Sequence, residues 1–356
     1  MKKGSFGTWR RRLAVLVFGL SAFGELGLRL LDRFQTVPTG SLYSAVDLTV
    51  EPYRLLPGTD IVMPERYGDV RYTINSAGYR DHEWATVGHP LVLIVGDSVA
   101  FGLSVAASER FSDRLGVTLR AGPWPNAEVR NLSVFGYGGY EELAALRQHG
   151  LPAHPDLVVV CFYQNDISIP APTFSLRRDV TVGQRLHAVA NRLLTASNLY
   201  RRVNQVVAGA AYRLRHDAHR RNPQQLNSAE PQQVVDLLAG EPTDDKVLAF
   251  DYLDQMRSDT ERSGARFLLV STPNETQLFF DRWDEIDRRL AQHAHDRAIR
   301  LLDTLAALRA DRERGQLFRD GVHLSPTGHE RVAGLLSPRV LALLAAGSPW
   351  NSRKDR

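Results

Sequence analysis

Pro90-Leu-Val-Leu-Ile-Val-Gly-Asp-Ser98 is an apolar run that stops at Gly96-Asp97-Ser98 and gives way to a segment with helical spacing. An apolar stretch of this kind predicts a strand buried on both faces, as in a parallel sheet covered by helices. Ser98 then stands on the turn at the strand's carboxyl end, where open α/β sheets place their ligand sites. Outward from this stretch the rhythm repeats. Apolar strands are predicted at 91–95, 128–134, 156–163, 266–272 and 299–304. Helical segments fall near 107–120, 139–150, 245–263 and 281–298, with a closing helix at about 326–346. This alternation predicts an α/β fold with a central parallel sheet and helices on both faces.

With 356 residues and 43% apolar content, the chain can bury a full core and suits one large domain or one domain plus appendages. Its formal net charge of +4 comes largely from the N-terminus and an arginine cluster at 177–221. No aromatic-interleaved basic motif accompanies that excess, so no nucleic-acid partner is expected. Cys161 is the one cysteine and lies inside Leu157-Val-Val-Val-Cys-Phe162. It can form no intrachain disulfide and reads as a small core residue.

Residues 1–35 read as an address. Lys2, Lys3, Arg10, Arg11 and Arg12 precede Leu13–Leu31, a stretch that as a helix spans roughly 28 Å, close to a bilayer's hydrocarbon core. The basic flank stays in the cytoplasm, which puts the rest of the chain outside it. Glu25 and Arg29 interrupt the span four residues apart, where they can pair and snorkel. The expectation is a single-pass inner-membrane anchor with a periplasmic catalytic domain. The alternative is secretion after cleavage, since Ala22-Phe23-Gly24 is a small-x-small site. Arg11-Arg12 is a poor twin-arginine match.

Residues 36–89 read as an irregular extracytoplasmic preamble. Within it Tyr72-Thr-Ile-Asn-Ser-Ala-Gly-Tyr-Arg80 fits a short strand entering a turn, with Gly78 available for a positive φ. Residues 90–348 hold the α/β domain, and 349–356 form a polar tail. From about 167 to 244 no strand is expected, but Leu186–Leu194 and Leu199–Leu214 have helical spacing in an arginine-rich context. A long insertion after a strand's carboxyl end suits a lid, a solvated helical hairpin, or arginines resting on anionic lipid.

A serine hydroxyl needs a base within hydrogen-bond reach and a third group to orient that base. Asp320-Gly-Val-His323 offers both in one short loop before the closing helix, and His323 alone among eleven histidines has an acid three positions earlier. The oxyanion donors expected are the Ser98 N–H, the N–H of Gly136 and the side-chain amide of Asn165, each at the carboxyl end of a predicted strand. Asp97, Asn165, Asp320 and His323 could also ligate a cation, but no metal-ligand spacing supports that. His293-Ala-His295 sits in a predicted helix, where such a pair diverges. His82 and His89 read as surface residues. No metal and no cofactor are expected.

Gly96-Asp97-Ser98, Gly136, Asn165-Asp166 and Asp320-x-x-His323 occur in the order of the four blocks of the SGNH (GDSL-type) hydrolase superfamily, which residues 90–345 resemble apart from the insertion. Asp-Gly-Val-His-Leu-Ser-Pro-Thr-Gly-His329 is the most specific piece. The resemblance implies the SGNH hydrolase fold, a flavodoxin-like three-layer α/β/α sandwich. It implies Ser98 as nucleophile, His323 as general base and then acid, Asp320 as its orienter, and Ser98, Gly136 and Asn165 as the oxyanion hole. One departure stands out: the family's third block has glycine two before the asparagine, where this chain has Tyr163, expected to narrow the pocket. Asn75-Ser-Ala-Gly-Tyr-Arg80 also resembles a segment preceding this domain in membrane-anchored bacterial relatives.

The superfamily includes carbohydrate acetylesterases, lipases, thioesterases and O-acyltransferases. An extracytoplasmic site favours an acylated polysaccharide or envelope glycan as substrate. The expected activity is ester hydrolysis through an acyl-enzyme. The alternatives are a glycan O-acetyltransferase with the same triad and a catalytically silent, membrane-tethered polysaccharide-binding or assembly protein. Neither the acyl group nor the oligomeric state is written in the sequence.

Overall fold

A computed structural model describes residues 42, 46–47, 52–65, 68–84, 88–168, 244–281 and 284–346. Five strands form in the expected stretches: β5 (Leu91–Gly96), β6 (Glu128–Asn131), β7 (Leu157–Phe162), β8 (Arg266–Ser271) and β9 (Leu301–Asp303). They pair in the order β6-β5-β7-β8-β9, every pair parallel. Numbered within the sheet this is 2-1-3-4-5, the flavodoxin-like order, whose switch point lies between the first and third strands. Ser98 follows β5 and Asn165 follows β7, so both stand at that switch point.

Side-chain alternation along β5 feeds two cores. Leu91, Leu93 and Val95 join one cluster, Val92 and Ile94 the other. The first is covered by α3 (Gly139–Ala145), α5 (Asp244–Arg262) and α6 (Glu285–Asp296), through Leu143, Leu253, Met256, Ile286 and Leu290. The second is covered by α2 (Phe111–Ala121), α7 (Leu305–Arg309) and α8 (Pro326–Ala345), through Phe111, Leu115, Leu308, Val332 and Leu336. Each such fully buried Leu or Val contributes about 1.5–3 kcal/mol. Two one-turn helices, α1 (Ser98–Phe101) and α4 (Asn165–Ser168), open directly from the ends of β5 and β7.

Several boundaries differ from the sequence expectation. The strand expected at 128–134 ends at Asn131, because the Asn131 carboxamide accepts from Ser133 N–H at 2.9 Å and turns the chain out of the ladder. The helix expected at 107–120 is broken at Arg110, whose extended backbone separates a 3-10 turn (Ala107–Glu109) from α2. Residues 36–89, expected to be irregular, carry two small antiparallel pairs, β1 (Val46–Asp47) with β2 (Arg54–Leu55) and β3 (Asp60–Glu65) with β4 (Gly68–Thr73). Tyr53, Leu55, Ile61, Met63, Tyr72, Ile74 and Tyr79 are buried in the same cluster as β5.

The apolar stretch Leu13–Leu31, the insertion helices at 186–194 and 199–214 and the tail at 349–356 lie outside the described residues. Among the described residues no helix is long and apolar enough to cross a membrane.

Candidate active site

Asp97 caps α1, its Oδ1 accepting from Val99 N–H at 2.8 Å, so the helix starts at Ser98 and lifts its hydroxyl above the sheet. On the far side of the switch point, the loop from Leu317 to Ser325 closes on itself. Phe318 bridges Leu324, and Ser325 N–H donates to Leu317 O at 2.8 Å. Ser325 then caps α8 by accepting from Gly328 N–H at 3.1 Å. Gly328 is required there, since a Cβ would meet Leu317 O at 2.1 Å. Inside this frame Asp320 Oδ1 accepts from the N–H groups of Val322 and His323 at 3.0 and 2.7 Å.

That turn aims His323 at both partners. Its Nε2 lies 3.0 Å from Ser98 Oγ, and its Nδ1 lies 2.9 Å from Asp320 Oδ2. An ionised carboxylate only accepts, so Nδ1 carries the ring hydrogen and Nε2 is free to accept from the Ser98 hydroxyl. Partial burial raises the Asp320 carboxyl, but its bonds and attraction to His323 and the two N–H donors outweigh this and hold it at about 2. It is therefore ionised throughout any working range. The arrangement can move a proton from Ser98 to His323 while Asp320 holds the ring.

Asn165 opens α4, and its Nδ2 donates to Asp97 Oδ2 at 2.9 Å. This bond orients the carboxamide. Asp97 thus ties the serine helix to the Asn165 amide with one carboxylate. Burial pushes that carboxyl above its ordinary range, partly offset by the Val99 N–H, the charge of His323 and the Asn165 amide. Gly136 sits beyond β6 with φ +78°, a left-handed turn suited to glycine. The Ser98 N–H, first in its helix, has no intrahelical acceptor. The three expected donors therefore follow adjacent strands at one end of the sheet.

Tyr163 stands where the family's third block has glycine. Its side chain is buried in the core on the α8 side of the sheet, and its hydroxyl accepts from Gln164 Nε2 at 3.1 Å. The backbone still forms the turn, with Tyr163 N–H donating to Asp166 Oδ2 at 3.0 Å. Asp166 and Glu142 are both buried behind the site, and burial together with neighbouring acids pushes both carboxyls well up. Sequence reasoning missed the double role of Asp97, although an acid immediately before a helix is a readable cap.

The histidines His82, His89, His293 and His295 lie elsewhere. His82 contacts Asp81 at 3.1 Å and Glu128 at 3.4 Å, and His89 contacts Asp156 at 3.1 Å. Glu128 and Asp156 stand at the amino ends of β6 and β7, opposite Ser98. His293 Nε2 meets Asp254 on α5 at 3.0 Å, and the exposed His295 meets Asp296. Among the described residues no group of three or more His, Cys, Asp or Glu is gathered as metal ligands.

A comparison with curated proteins returned no match. Among solved structures the chain is similar to TesA, at 17% identity and a TM-score of 0.43, covering 71% of this chain and 99% of that one. It is similar to a lipase/acylhydrolase from Enterococcus faecalis at 16% identity and a TM-score of 0.42, with 70% and 94% covered. A catalytic mutant of Axe2, an acetylxylan esterase from Geobacillus stearothermophilus, is similar at 15% identity and a TM-score of 0.39, with 70% and 94% covered. Residues 94–331, which hold Ser98, Asn165, Asp320 and His323, match the GDSL-like Lipase/Acylhydrolase family. The chain belongs to that family, and it is an ester-bond hydrolase of the GDSL type.

Proposed function

We propose that the chain hydrolyses an ester through an acyl-enzyme on Ser98, and that its substrate is an acylated polysaccharide or envelope glycan outside the cytoplasm. The observation that carries the chemistry is the continuous relay from Ser98 Oγ through His323 to Asp320, with contacts of 3.0 and 2.9 Å. Ser98 Oγ attacks the ester carbonyl carbon while His323 Nε2 takes its proton. The carbonyl oxygen becomes an oxyanion held by the N–H groups of Ser98 and Gly136 and the Asn165 amide. As the tetrahedral intermediate collapses, the C–O bond to the alcohol breaks and His323 returns the proton to the leaving oxygen. Water, deprotonated by His323, then attacks the acyl-enzyme and releases the acid with Ser98 restored.

The glycan assignment and the location rest on the N-terminal sequence, where a basic flank precedes Leu13–Leu31. A single-pass anchor would hold the catalytic domain in the periplasm, where acylated sugars rather than acyl-CoA are at hand.

Hydrolysis of p-nitrophenyl acetate by wild type and Ser98→Ala, followed by acetate release from acetylated polysaccharide, tests both parts. Turnover of the activated ester should be lost on substitution, and free acetate should appear from the glycan. Activity that survives Ser98→Ala would remove Ser98 from the chemistry. Acetyl groups recovered on a second sugar instead of in water would identify a transferase.

A further inference from the structure

The family match begins at residue 94, yet the segment before it grips the parts of the site that must not move. Arg80 is buried, with its guanidinium 4.2 Å from the centre of the Tyr72 ring. Its Nη1 donates to Phe101 O at 3.2 Å and Gly102 O at 2.5 Å, and its Nη2 to Val105 O at 2.6 Å. Phe101 and Gly102 end the single turn that Ser98 begins. A one-turn helix has too few internal bonds to fix itself, and its terminal carbonyls need outside donors. Tyr72 adds another tie, its hydroxyl accepting from Ser104 N–H at 2.8 Å.

The same segment holds the oxyanion turn. Tyr53 Oη donates to Phe135 O at 2.8 Å, and Tyr137 Oη donates back to Tyr53 O at 2.5 Å. Phe135 and Tyr137 are the residues on either side of Gly136, and the Tyr53 and Tyr137 rings pack edge to face with centroids 5.0 Å apart. Asp81, next to Arg80, accepts from Asn131 N–H at 2.9 Å, at the end of the strand that leads to this turn.

We infer that residues 52–65 and 68–84 are a built-in scaffold of the catalytic site, with Arg80 and Tyr53 as positioning residues for Ser98 and Gly136. The inference rests on the reading of Ser98 as nucleophile. Arg80 acts through the backbone of α1 and Tyr53 through the Phe135 carbonyl, and neither is assigned a contact with substrate. Their loss therefore lowers the rate of the bound complex without weakening binding to the same degree. A planar five-donor fork is what reaches three diverging carbonyls, so lysine does not replace Arg80.

The test uses the full-length chain carrying Arg80→Lys or Tyr53→Phe, beside wild type and Ser98→Ala, with p-nitrophenyl acetate as substrate and melting temperature as a separate readout. Displacement by about 1 Å can cost about 10²-fold in rate, and kcat is expected to fall about tenfold or more in each variant with KM within about threefold. A purely structural role would lower the melting temperature and leave kcat intact at temperatures where the variant is folded. A folded variant with kcat within about threefold of wild type overturns the assignment for its residue. Should Arg80→Lys fail to fold, Tyr53→Phe, which keeps the ring and removes one oxygen, decides the inference. If Ser98→Ala is as active as wild type, the reading of Ser98 fails and this inference falls with it; if only the two variants match wild type, this inference alone fails.

Discussion

Asp97 spends one oxygen on Val99 N–H and the other on the Asn165 amide, so a single carboxylate ties the turn that Ser98 begins to the Asn165 side chain. Asparagine at this position offers one accepting oxygen and turns the other contact into donor facing donor. Asp97→Asn is expected to lower kcat about ten- to a hundredfold, approaching the cost of losing an oxyanion donor, with KM little changed. Steady-state kinetics on an activated ester checks this, and an unchanged kcat would reduce Asp97 to a helix cap. That Ser98, Asp320 and His323 meet was legible in the sequence because their signals are local: an apolar run ending at a serine, and an acid three residues before a histidine. Arg80 was not. Its acceptors Phe101, Gly102 and Val105 lie 21 to 25 residues away, and nothing in a sequence marks an arginine that will be buried against carbonyls.

At the scale of elements, β5 and β7 were readable because each is apolar on both faces, and the alternation of strands with helical segments announced the parallel sheet. Of the small pairs β1–β2 and β3–β4, only the end of β4 at Tyr72 and Thr73 was readable. Their apolar positions are spaced by turns and charged residues, and they become strands by packing on a core built elsewhere. The loop between Leu317 and Ser325 carries both Asp320 and His323, two of the three members of the proposed relay. Its closure is set by the contact of Gly328 with the Leu317 carbonyl, where an added Cβ would stand 2.1 Å from the oxygen. Gly328→Ala is expected to cost about 1–3 kcal/mol, in the range of overpacking, and to lower kcat by displacing His323. Chemical denaturation together with kinetics checks both effects. Full stability and full activity in this variant would show that the loop is not held from α8.

For the whole molecule, the 2-1-3-4-5 sheet gathers Ser98, Gly136 and Asn165 at one end of three adjacent strands, and the residues before the family match brace two of them. The same packing makes stability depend on acidity. His329 is buried against Phe111, and burial together with the charges of Arg110, Arg80 and Arg114 pushes its imidazole down to about 3. An unfolded histidine titrates near 6.5, so between about 6.5 and 3 the unfolded chain binds a proton that the folded chain refuses. Stability from this group is complete above about 6.5 and declines as pH falls towards about 3. His149, lowered to about 4 by burial and Arg54, acts in the same direction. His82, where Asp81 and Glu128 raise the imidazole, opposes them. Urea midpoints should therefore fall between about pH 7 and pH 5 more steeply for wild type than for His329→Gln, which keeps an acceptor for Phe111 N–H; equal slopes would exclude His329 as a source of acid sensitivity. The central claim is that this architecture makes a nucleophile of Ser98, and the most direct measurement is labelling of the folded full-length chain by a fluorophosphonate, located by peptide mass spectrometry. The account predicts one phosphonyl group, on Ser98, absent in Ser98→Ala and formed far more slowly in His323→Ala. A folded wild-type protein left unlabelled, or labelled equally after Ser98→Ala, would contradict it.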